Sequence, residues 1–391
     1  MILKEHNQPG DIHKKHADLT RPTAGNFNRN EWAIIGAPCN VIKSLADSLI
    51  DALSTKYKCA YADTAHNDDI TSLPGRLASK ALIEYTEKIN YRQINYNASF
   101  NQYKLREVFA DADLVLVNGN HQQANAQVVI ISIIKKESLK KRINQLNNVK
   151  LILLADDAVE VFDFIKEAVP NWRKLPLYKL NETKKIIGFF ETQMEHAKPV
   201  LNGLVLAGGK SERMGFDKGS VNWHGKEQRH HIADMLKPFC EEVFVSCRSE
   251  QQRGIGDQYS GLTDTFIGLG PFGGILSAFR EKPDCAWFVV ACDLPLIQPE
   301  TLKYLTESRN TSSVATAYQS TFNNFPEPLI TIWEPKSYPV LLSFLAQGYS
   351  CPRKVLINSD VTLLNALNTD DLTNVNTPDE LEKVKQALHQ Q

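Results

Sequence analysis

Short continuous hydrophobic runs alternate with longer amphipathic stretches along the first half of the chain. Apolar residues recur every four positions from Val41 to Leu53, which predicts a helix over 41–54. The continuous runs predict strands covered on both faces, as in a largely parallel sheet. We predict strands at 32–36, 58–62, 114–118, 127–133 and 151–155, and further helices at 73–88, 135–146, 158–168 and 182–195.

The second half of the chain repeats this alternation. Strands are predicted at 203–207, 242–246, 287–292, 313–318 and 328–333, with helices between them. The pattern predicts an α/β protein with two doubly wound, mainly parallel-sheet domains. We place these domains at 31–195 and 200–391, joined by a linker at 196–199.

Composition limits what kind of protein this is. The chain has 391 residues, room for about two or three domains, with 44 basic and 45 acidic residues. This balance gives no overall field that attracts nucleic acid or an anionic membrane. Residues 1–30 are polar and lack the apolar stretch of a signal peptide, which predicts a flexible tail. The longest apolar run, 128–134, is far shorter than the roughly 20 residues that span a bilayer, so we expect a soluble protein.

The cysteines indicate the compartment. Seven are scattered along the chain without a C-x-x-C pair, which argues against a disulfide framework or a zinc site. We expect reduced, buried thiols and therefore a cytoplasmic protein.

A glycine-rich segment, LVLAGGKSERMGFDKG at 204–219, is the strongest candidate for chemistry. Gly208 and Gly209 follow a predicted strand and allow backbone N–H groups to approach a phosphate closely. Arg213 can bind two phosphate oxygens at once, and Lys218 adds a compact positive charge. The alternative is an ordinary strand-to-helix turn with solvated basic residues, but the complete string favours a site for a nucleoside triphosphate.

Two aspartates complete this candidate site. The buried strand at 287–292 ends at Asp293, in the position where open α/β sheets bind ligands. Asp293 suits Mg²⁺, which prefers one or two carboxylates together with phosphate oxygens, although an aspartate here can also simply cap the next turn. Asp264 precedes the loop GLGPFGG at 268–274 and is a candidate contact for ribose or base.

Four motifs in order make residues 200–391 resemble the molybdenum cofactor guanylyltransferases of the nucleotidyltransferase family. LAGGKSERMGFDKG matches the signature LAGG-x-S-x-R-M-G-x-D-K, and GPFGGI is similar to GPLAGI. CDLPLI is similar to CD-x-P-x-I, and NVNTPDEL to the closing N-x-N-T-P-E-D-L. The resemblance implies a doubly wound, Rossmann-like fold for this domain.

The same resemblance implies roles for individual residues. The implied catalytic residues are Arg213, Lys218 and Asp293, with Asp293 also holding Mg²⁺. The implied nucleotide-binding residues are Leu206, Ala207, Gly208, Gly209, Lys218, Ser246, Asp264 and Asp293. Ser246 stands where relatives use an asparagine to bind guanosine, and Gly225-Lys226-Glu227-Gln228 replaces the usual G-K-P-L, which we interpret as a changed helix start.

The pterin side of the site is implied to lie across the cleft. It would use the loop 323–328, the basic pair Arg353 and Lys354, and the asparagines Asn374 and Asn376. A basic pair suits a phosphate-bearing pterin, and the alternative is a solvated surface pair.

The implied activity is transfer of GMP from GTP to molybdopterin, with Mg²⁺ as cofactor and pyrophosphate as product. Implied partners, besides these two substrates, are molybdoenzymes or other molybdenum cofactor biosynthesis proteins. The alternatives are a molybdopterin cytidylyltransferase, a sugar-phosphate nucleotidylyltransferase and a non-catalytic nucleotide-binding regulator.

Residues 31–195 resemble a degenerate form of the GTP-binding adaptor protein that accompanies this guanylyltransferase. The loop after the first strand lacks the second glycine of the P-loop pattern G-x-x-x-x-G-K-[ST], and Lys43 lies seven residues after Gly36 instead of six. Asn118 replaces a glutamate of the adaptor family. We therefore predict a non-catalytic adaptor role for this P-loop-like domain. His66 and His121 follow predicted strands and are either functional or ordinary loop residues.

Overall fold

The structure is a computed structural model that describes residues 25–64, 73–207, 218–320 and 323–375, together with residues 380, 382 and 384. These residues fall into two compact units, one ending at Lys198 and the other beginning at Pro199. We call them the N-terminal unit and the C-terminal unit.

The N-terminal unit contains eight strands and five α-helices among its described residues. The strands are β1 (Glu31–Ile35), β2 (Cys59–Ala62), β3 (Ile83–Glu87), β4 (Arg92–Tyr96), β5 (Leu114–Asn118), β6 (Ala126–Ile131), β7 (Val149–Leu154) and β8 (Leu177–Lys179). The helices are α1 (Cys39–Leu53), α2 (Gln102–Val108), α3 (Lys136–Lys140), α4 (Asp163–Ala168) and α5 (Thr183–His196).

Six of these strands form one sheet in the order β2-β5-β1-β6-β7-β8, and every neighbouring pair is parallel. Apolar side chains of α1 and α5 pack on one face of this sheet, around Ile34, Leu116 and Phe190. Side chains of α3 and α4 pack on the other face, around Val129. Because both faces are covered, the strands consist almost entirely of buried apolar residues.

The helix predicted at 73–88 is wrong. The structure has a short 3₁₀ helix at Gly75–Ser79, followed by the antiparallel hairpin of β3 and β4. Lys80 has a φ of 68°, which ends the helical turn. Ile83 and Tyr85 then alternate with the polar residues Glu84 and Thr86, a pattern typical of a strand.

Two other predicted helices are shorter in the structure than in the sequence pattern. The segment 135–146 divides into 3₁₀ helices at Ile133–Lys135 and Ile143–Gln145 with α3 between them. The segment 158–168 becomes helical only at Asp163. Neither departure changes the layered order of the unit.

The C-terminal unit contains seven strands and five α-helices among its described residues. The strands are β9 (Leu201–Leu206), β10 (Val243–Cys247), β11 (Ser260–Thr263), β12 (Ala286–Ala291), β13 (Ala315–Gln319), β14 (Pro326–Trp333) and β15 (Val361–Leu364). The helices are α6 (Gln228–Leu236), α7 (Pro271–Glu281), α8 (Pro299–Glu307), α9 (Ser337–Ala346) and α10 (Pro352–Ile357).

These strands form one sheet in the order β11-β10-β9-β12-β14-β13-β15. Only β14 runs antiparallel to its neighbours β12 and β13. Helices α6 and α8 pack on one face, around Val205 and Phe288. Helices α7, α9 and α10 pack on the other face, around Leu204 and Trp287. The predicted fold class, two doubly wound and mainly parallel α/β sheets, is confirmed.

The structure tests the expectations about buried thiols and about membrane-spanning helices. None of the seven cysteines forms a disulfide, as predicted, but only Cys247 and Cys292 are buried, so the expectation of buried thiols is wrong for the other five. Four of these are partly buried, and Cys351, the N-cap of α10, is exposed. No helix in the described part of the chain is both long and apolar enough to cross a membrane.

Candidate active site

A cavity of about 690 Å³ lies at the carboxyl edge of the C-terminal sheet. Four neighbouring parallel strands, β11, β10, β9 and β12, end at this edge. The lining includes Leu206 from the end of β9, Ser246 from β10, Asp264 directly after β11, and Asp293 two residues after β12. The topology therefore brings together four residues that lie far apart in the sequence, in the crevice where such sheets bind ligands.

Asp264 is held by Ser246. The Ser246 hydroxyl, on a side chain that is 1% exposed, donates to Asp264 Oδ1 at 2.7 Å. Burial raises the pKa of Asp264, and the Ser246 hydroxyl opposes this by stabilising the charged form. The serine in place of the family's asparagine is thus engaged with a second residue of the site and fixes its position.

The glycine-rich loop and the start of α7 close against this pair. Gly270 precedes α7 with a φ of 55°, a backbone conformation that favours glycine. A Cβ on Gly274 would lie 2.8 Å from Leu206 Cδ2 and 2.9 Å from Ser246 Oγ. Only glycine lets α7 approach the end of β9 and the hydroxyl that holds Asp264.

The backbone around Asp293 is anchored from three directions. The N–H of Val375 donates to the Asp293 carbonyl oxygen at 2.9 Å. Gln228 Nε2 donates to the Leu294 carbonyl oxygen at 3.2 Å, and His224 Nε2 lies 2.9 Å from the Pro295 carbonyl oxygen. These contacts fix the turn that presents the Asp293 carboxylate to the cavity.

Sequence reasoning missed the role of Gln228. From the sequence, the departure at 225–228 indicates only a changed helix start, and α6 does begin at Gln228. The Gln228 side chain is fully buried and reaches the turn that follows Asp293. A polar residue at the first position of an amphipathic helix gives no signal that it points inward, so only the structure reveals this contact.

Asp293 gives the site the kind of donor that Mg²⁺ requires. Its carboxylate lines the same cavity as Asp264, and carboxylate oxygens are hard ligands. Within the described ranges, no cluster of three or more His, Cys, Asp or Glu side chains could hold a metal. Mg²⁺ commonly binds to one or two carboxylates and takes its remaining ligands from water and substrate phosphates, so this donor set fits it.

Several predicted site residues lie outside the described part of the chain. These are Gly208, Gly209, Arg213, Asn376 and, in the N-terminal unit, His66. Lys218 begins the 3₁₀ helix Lys218–Ser220. Ala207 is buried at the end of β9 and lines the cavity.

The residues predicted for the pterin side divide into two groups. Asn374 lies directly before Val375, whose N–H binds the Asp293 backbone, so this segment adjoins the site. Arg353 instead forms an ion pair with Glu327 at 3.0 Å, and Lys354 lies 5.2 Å from the Tyr349 ring centroid. Neither basic residue is among those that line the cavity.

The loop of the N-terminal unit that resembles a P-loop has different neighbours. Gly36 has a φ of 100° and turns the chain from β1 towards α1. Lys43 lies within α1 and forms an ion pair with Asp63 at 3.5 Å. His121 follows β5 and lies 3.2 Å from Cys39 at the start of α1. This edge therefore carries a thiol and an imidazole in place of a paired set of carboxylates.

Known proteins resemble the C-terminal unit. The family model of the MobA-like NTP transferase domain matches residues 203–361. A molybdenum cofactor biosynthesis bifunctional protein of Synechocystis sp. is 35% identical over 181 residues, covering 46% of this chain and 52% of that protein. The chain thus spans about half the length of this relative.

Two shorter relatives are matched over nearly their whole length. A molybdenum cofactor guanylyltransferase of Pseudomonas putida is 30% identical over 193 residues, covering 48% of this chain and 100% of that protein. A probable molybdenum cofactor guanylyltransferase of Carboxydothermus hydrogenoformans is 31% identical over 193 residues, covering 46% of this chain and 92% of that protein. Through its C-terminal unit, the chain belongs to the molybdenum cofactor guanylyltransferase family.

Proposed function

We propose that the C-terminal unit transfers GMP from GTP to molybdopterin and releases pyrophosphate. The observation that carries this proposal is the meeting of Asp264 and Asp293 in one cavity at the carboxyl edge of the sheet. A volume of about 690 Å³ suits a small-molecule site of nucleotide size. The relatives named guanylyltransferase support the choice of reaction.

The two carboxylates contact different parts of the nucleotide. Asp264, held by Ser246, accepts hydrogen bonds from the base or ribose, because an ionised carboxylate is an acceptor only. Asp293 lies on the anchored turn after β12 and would hold Mg²⁺ beside the phosphates. When bound, this ion neutralises charge on the phosphate oxygens.

The transfer itself is an in-line displacement at phosphorus. A terminal phosphate oxygen of molybdopterin forms a bond to the α-phosphorus of GTP, and the bond to the bridging oxygen breaks, so pyrophosphate leaves with the electron pair. Arg213 and Lys218 are proposed to bind the negatively charged oxygens. Catalysis of this kind consists mainly of positioning and charge stabilisation. We propose that the pterin is held by Asn374, Asn376, Arg353, Lys354 and the loop 323–328.

Pyrophosphate release from each of the four nucleoside triphosphates tests this proposal. The full chain is assayed with Mg²⁺, with and without molybdopterin. We expect release from GTP alone, and only when molybdopterin is present. Release from CTP would identify a cytidylyltransferase, and release with a sugar phosphate as acceptor would identify a sugar-phosphate nucleotidylyltransferase. No release with any acceptor would favour a regulator.

For the N-terminal unit we propose a non-catalytic adaptor role in the cytoplasm, in which it binds molybdoenzymes or other molybdenum cofactor biosynthesis proteins. Its support is the loop 36–43, where Lys43 is engaged with Asp63. Calorimetric titration of the full chain with GTP and Mg²⁺ should give one GTP per chain, unchanged in Lys43→Ala. Two equivalents in the native chain and one in the variant would contradict the adaptor role.

A further inference from the structure

The carboxyl edge of the N-terminal sheet brings a thiol into contact with an imidazole. Cys39 is the first residue of α1, and His121 lies three residues after β5. Because β1 and β5 are neighbours in the sheet, the segments that follow them meet at one edge. Cys39 Sγ lies 3.2 Å from His121 Nε2, which is hydrogen-bonding distance for a sulfur atom. Sequence reasoning singled out His121 but gave it no partner.

Backbone contacts fix this pair in place. Asn120 Nδ2 donates to the Ala37 carbonyl oxygen at 2.8 Å, which ties the segment after β5 to the loop before α1. The same Nδ2 lies 3.8 Å from Cys39 Sγ. A Cβ on Gly36 would lie 2.3 Å from the Ile130 carbonyl oxygen, so the turn leading to Cys39 packs closely against β6. The thiol and the imidazole are therefore presented by a rigid frame.

A buried amide beside the pair helps to keep a neighbouring carboxylate ionised. Asn118, at the end of β5, is 0% exposed, and its Oδ1 accepts from the Asn120 N–H at 3.1 Å. Burial opposes ionisation of Asp63, but hydrogen bonds, of which the one from the Asn118 amide is the strongest, lower the pKa of Asp63 overall. The Asn118 amide and Asp63 therefore belong to one polar network at this edge of the sheet.

The helix N-terminus at Cys39 favours an anionic ligand. Cys39 opens a helix of 15 residues, whose N-terminus attracts negative charge. The Asp63 carboxylate, which would repel an anion, is already engaged by Tyr61 at 3.0 Å and Lys43 at 3.5 Å.

We propose that Cys39 and His121 form a thiol-exchange site that reacts with small anionic disulfides. His121 Nε2 accepts the proton of Cys39, and the resulting thiolate attacks one sulfur of the disulfide. A new bond forms between Cys39 Sγ and that sulfur, and the original sulfur–sulfur bond breaks. The other sulfur leaves as a thiolate with the electron pair, so Cys39 is oxidised and the leaving thiol is reduced.

Five of the six other cysteines supply internal controls. Burial raises the pKa of Cys59 to about 11 and that of Cys240 to about 12, and it also raises the pKa of Cys247 and Cys285. These four thiols stay protonated near neutral pH. Cys351 is exposed at the start of the six-residue helix α10 and is the matched control for simple accessibility.

The test uses the full chain and dithionitrobenzoate, an aromatic disulfide with two carboxylates. Release of the coloured thiol gives the rate, and mass spectrometry of peptides assigns the modified cysteine. At about pH 7 we expect Cys39 to react at least about tenfold faster than Cys351, and cystamine, a cationic disulfide, to lose this preference. Cys39→Ser should remove the fast phase, and Cys351→Ser should retain it.

His121→Gln separates a base from a structural residue. At about pH 7 the Cys39 rate should fall about tenfold, whereas near pH 9.5, where solvent deprotonates thiols, the variant and native rates should converge. Among the described residues, ionisable groups near the pair include Tyr61, Asp63 and Lys43. Thermal melting verifies that the variant is folded. Equal reactivity of Cys39 and Cys351, or an unchanged rate in a folded His121→Gln protein, would overturn the proposal.

Discussion

The two units end their sheets in the same way but place different chemistry there. In the C-terminal unit the strand ends present carboxylates, Asp264 and Asp293, to a cavity of about 690 Å³. In the N-terminal unit the equivalent edge presents Cys39 and His121, in contact at 3.2 Å. Both sheets are doubly wound and mainly parallel. The fold therefore determines where a site can form, and the residues just beyond the strand ends determine which chemistry that site can perform.

The difference also lies in how each edge is supported. The C-terminal edge is anchored by side chains and backbone from distant segments, since Gln228 and Val375 both bind the turn at Asp293–Leu294. The N-terminal edge is anchored locally, by Asn120 across two adjacent loops. A carboxylate that must hold an ion beside phosphates needs fixed geometry from several sides, whereas a thiol needs mainly a base and an open approach.

The largest expected effect is at Asp293. Asp293→Asn keeps the size of the side chain but removes the charge, so pyrophosphate release should fall by about a thousandfold or more. Circular dichroism should show an unchanged fold. Asp257→Asn, at an exposed position outside the cavity, is the matched control and should retain native turnover.

Residual turnover decides this assignment. If Asp293→Asn retained activity within about tenfold of the native chain, a loss of only about 1.4 kcal/mol, the carboxylate would not be binding the ion. The carboxylates at the C-terminal edge would then not explain why that edge carries the transfer reaction.

A smaller effect is expected at Ser246. Ser246→Ala removes the 2.7 Å hydrogen bond to Asp264, and KM for GTP should rise about tenfold with little change in kcat. Because that bond stabilises the ionised carboxyl, its loss should raise the already elevated pKa of Asp264 further. The acidic limb of the kcat/KM profile should therefore move to higher pH.

Ser260→Ala is the control for this measurement. Ser260 is exposed at the start of β11, the strand that leads to Asp264, so its loss should leave both KM and the pH profile unchanged. If the acidic limb of the kcat/KM profile stayed at the same pH in Ser246→Ala, Asp264 would have no part in nucleotide binding.

The sequence predicted most of this architecture because buried parallel strands are continuous apolar runs. The runs at Leu114–Asn118 and Ala286–Ala291 are unmistakable, and each places a polar residue at the sheet edge. The hairpin β3–β4 was missed because its exposed apolar residues do not mark a buried face. The periodicity of apolar residues reflects which positions are buried, so it does not identify a strand whose two faces are both exposed.

Individual site residues were predictable only where a motif fixed them. Asp293 follows a strand that the pattern identifies, whereas Asp264 follows β11, which the pattern does not identify, and is marked only by the glycine-rich loop after it. The structure places both in one cavity. The Ser246–Asp264 bond and the Cys39–His121 contact join residues 18 and 82 positions apart, and no periodic signal connects them. Such pairs depend on strand order, which the sequence pattern alone does not specify.

The smallest predicted effect concerns Gln228, where the structure gives a departure from the family pattern a physical role. Gln228→Leu restores the family's residue, removes the donor to the Leu294 carbonyl oxygen and also removes a buried Oε1 that has no partner among the described residues. These two changes in folding free energy oppose each other, so the melting temperature should stay nearly constant. If Gln228 positions Asp293, kcat should nevertheless fall about threefold, because the turn gains freedom, while KM for GTP stays unchanged.

Gln298→Leu is the control for this measurement. It removes a similar 3.0 Å bond to the Leu296 carbonyl oxygen, farther from Asp293, and should leave kcat unaltered. Equal losses in both variants would mean that the whole turn, and not the anchor next to Asp293, sets the rate, and native kcat in Gln228→Leu would show that the remaining anchors suffice.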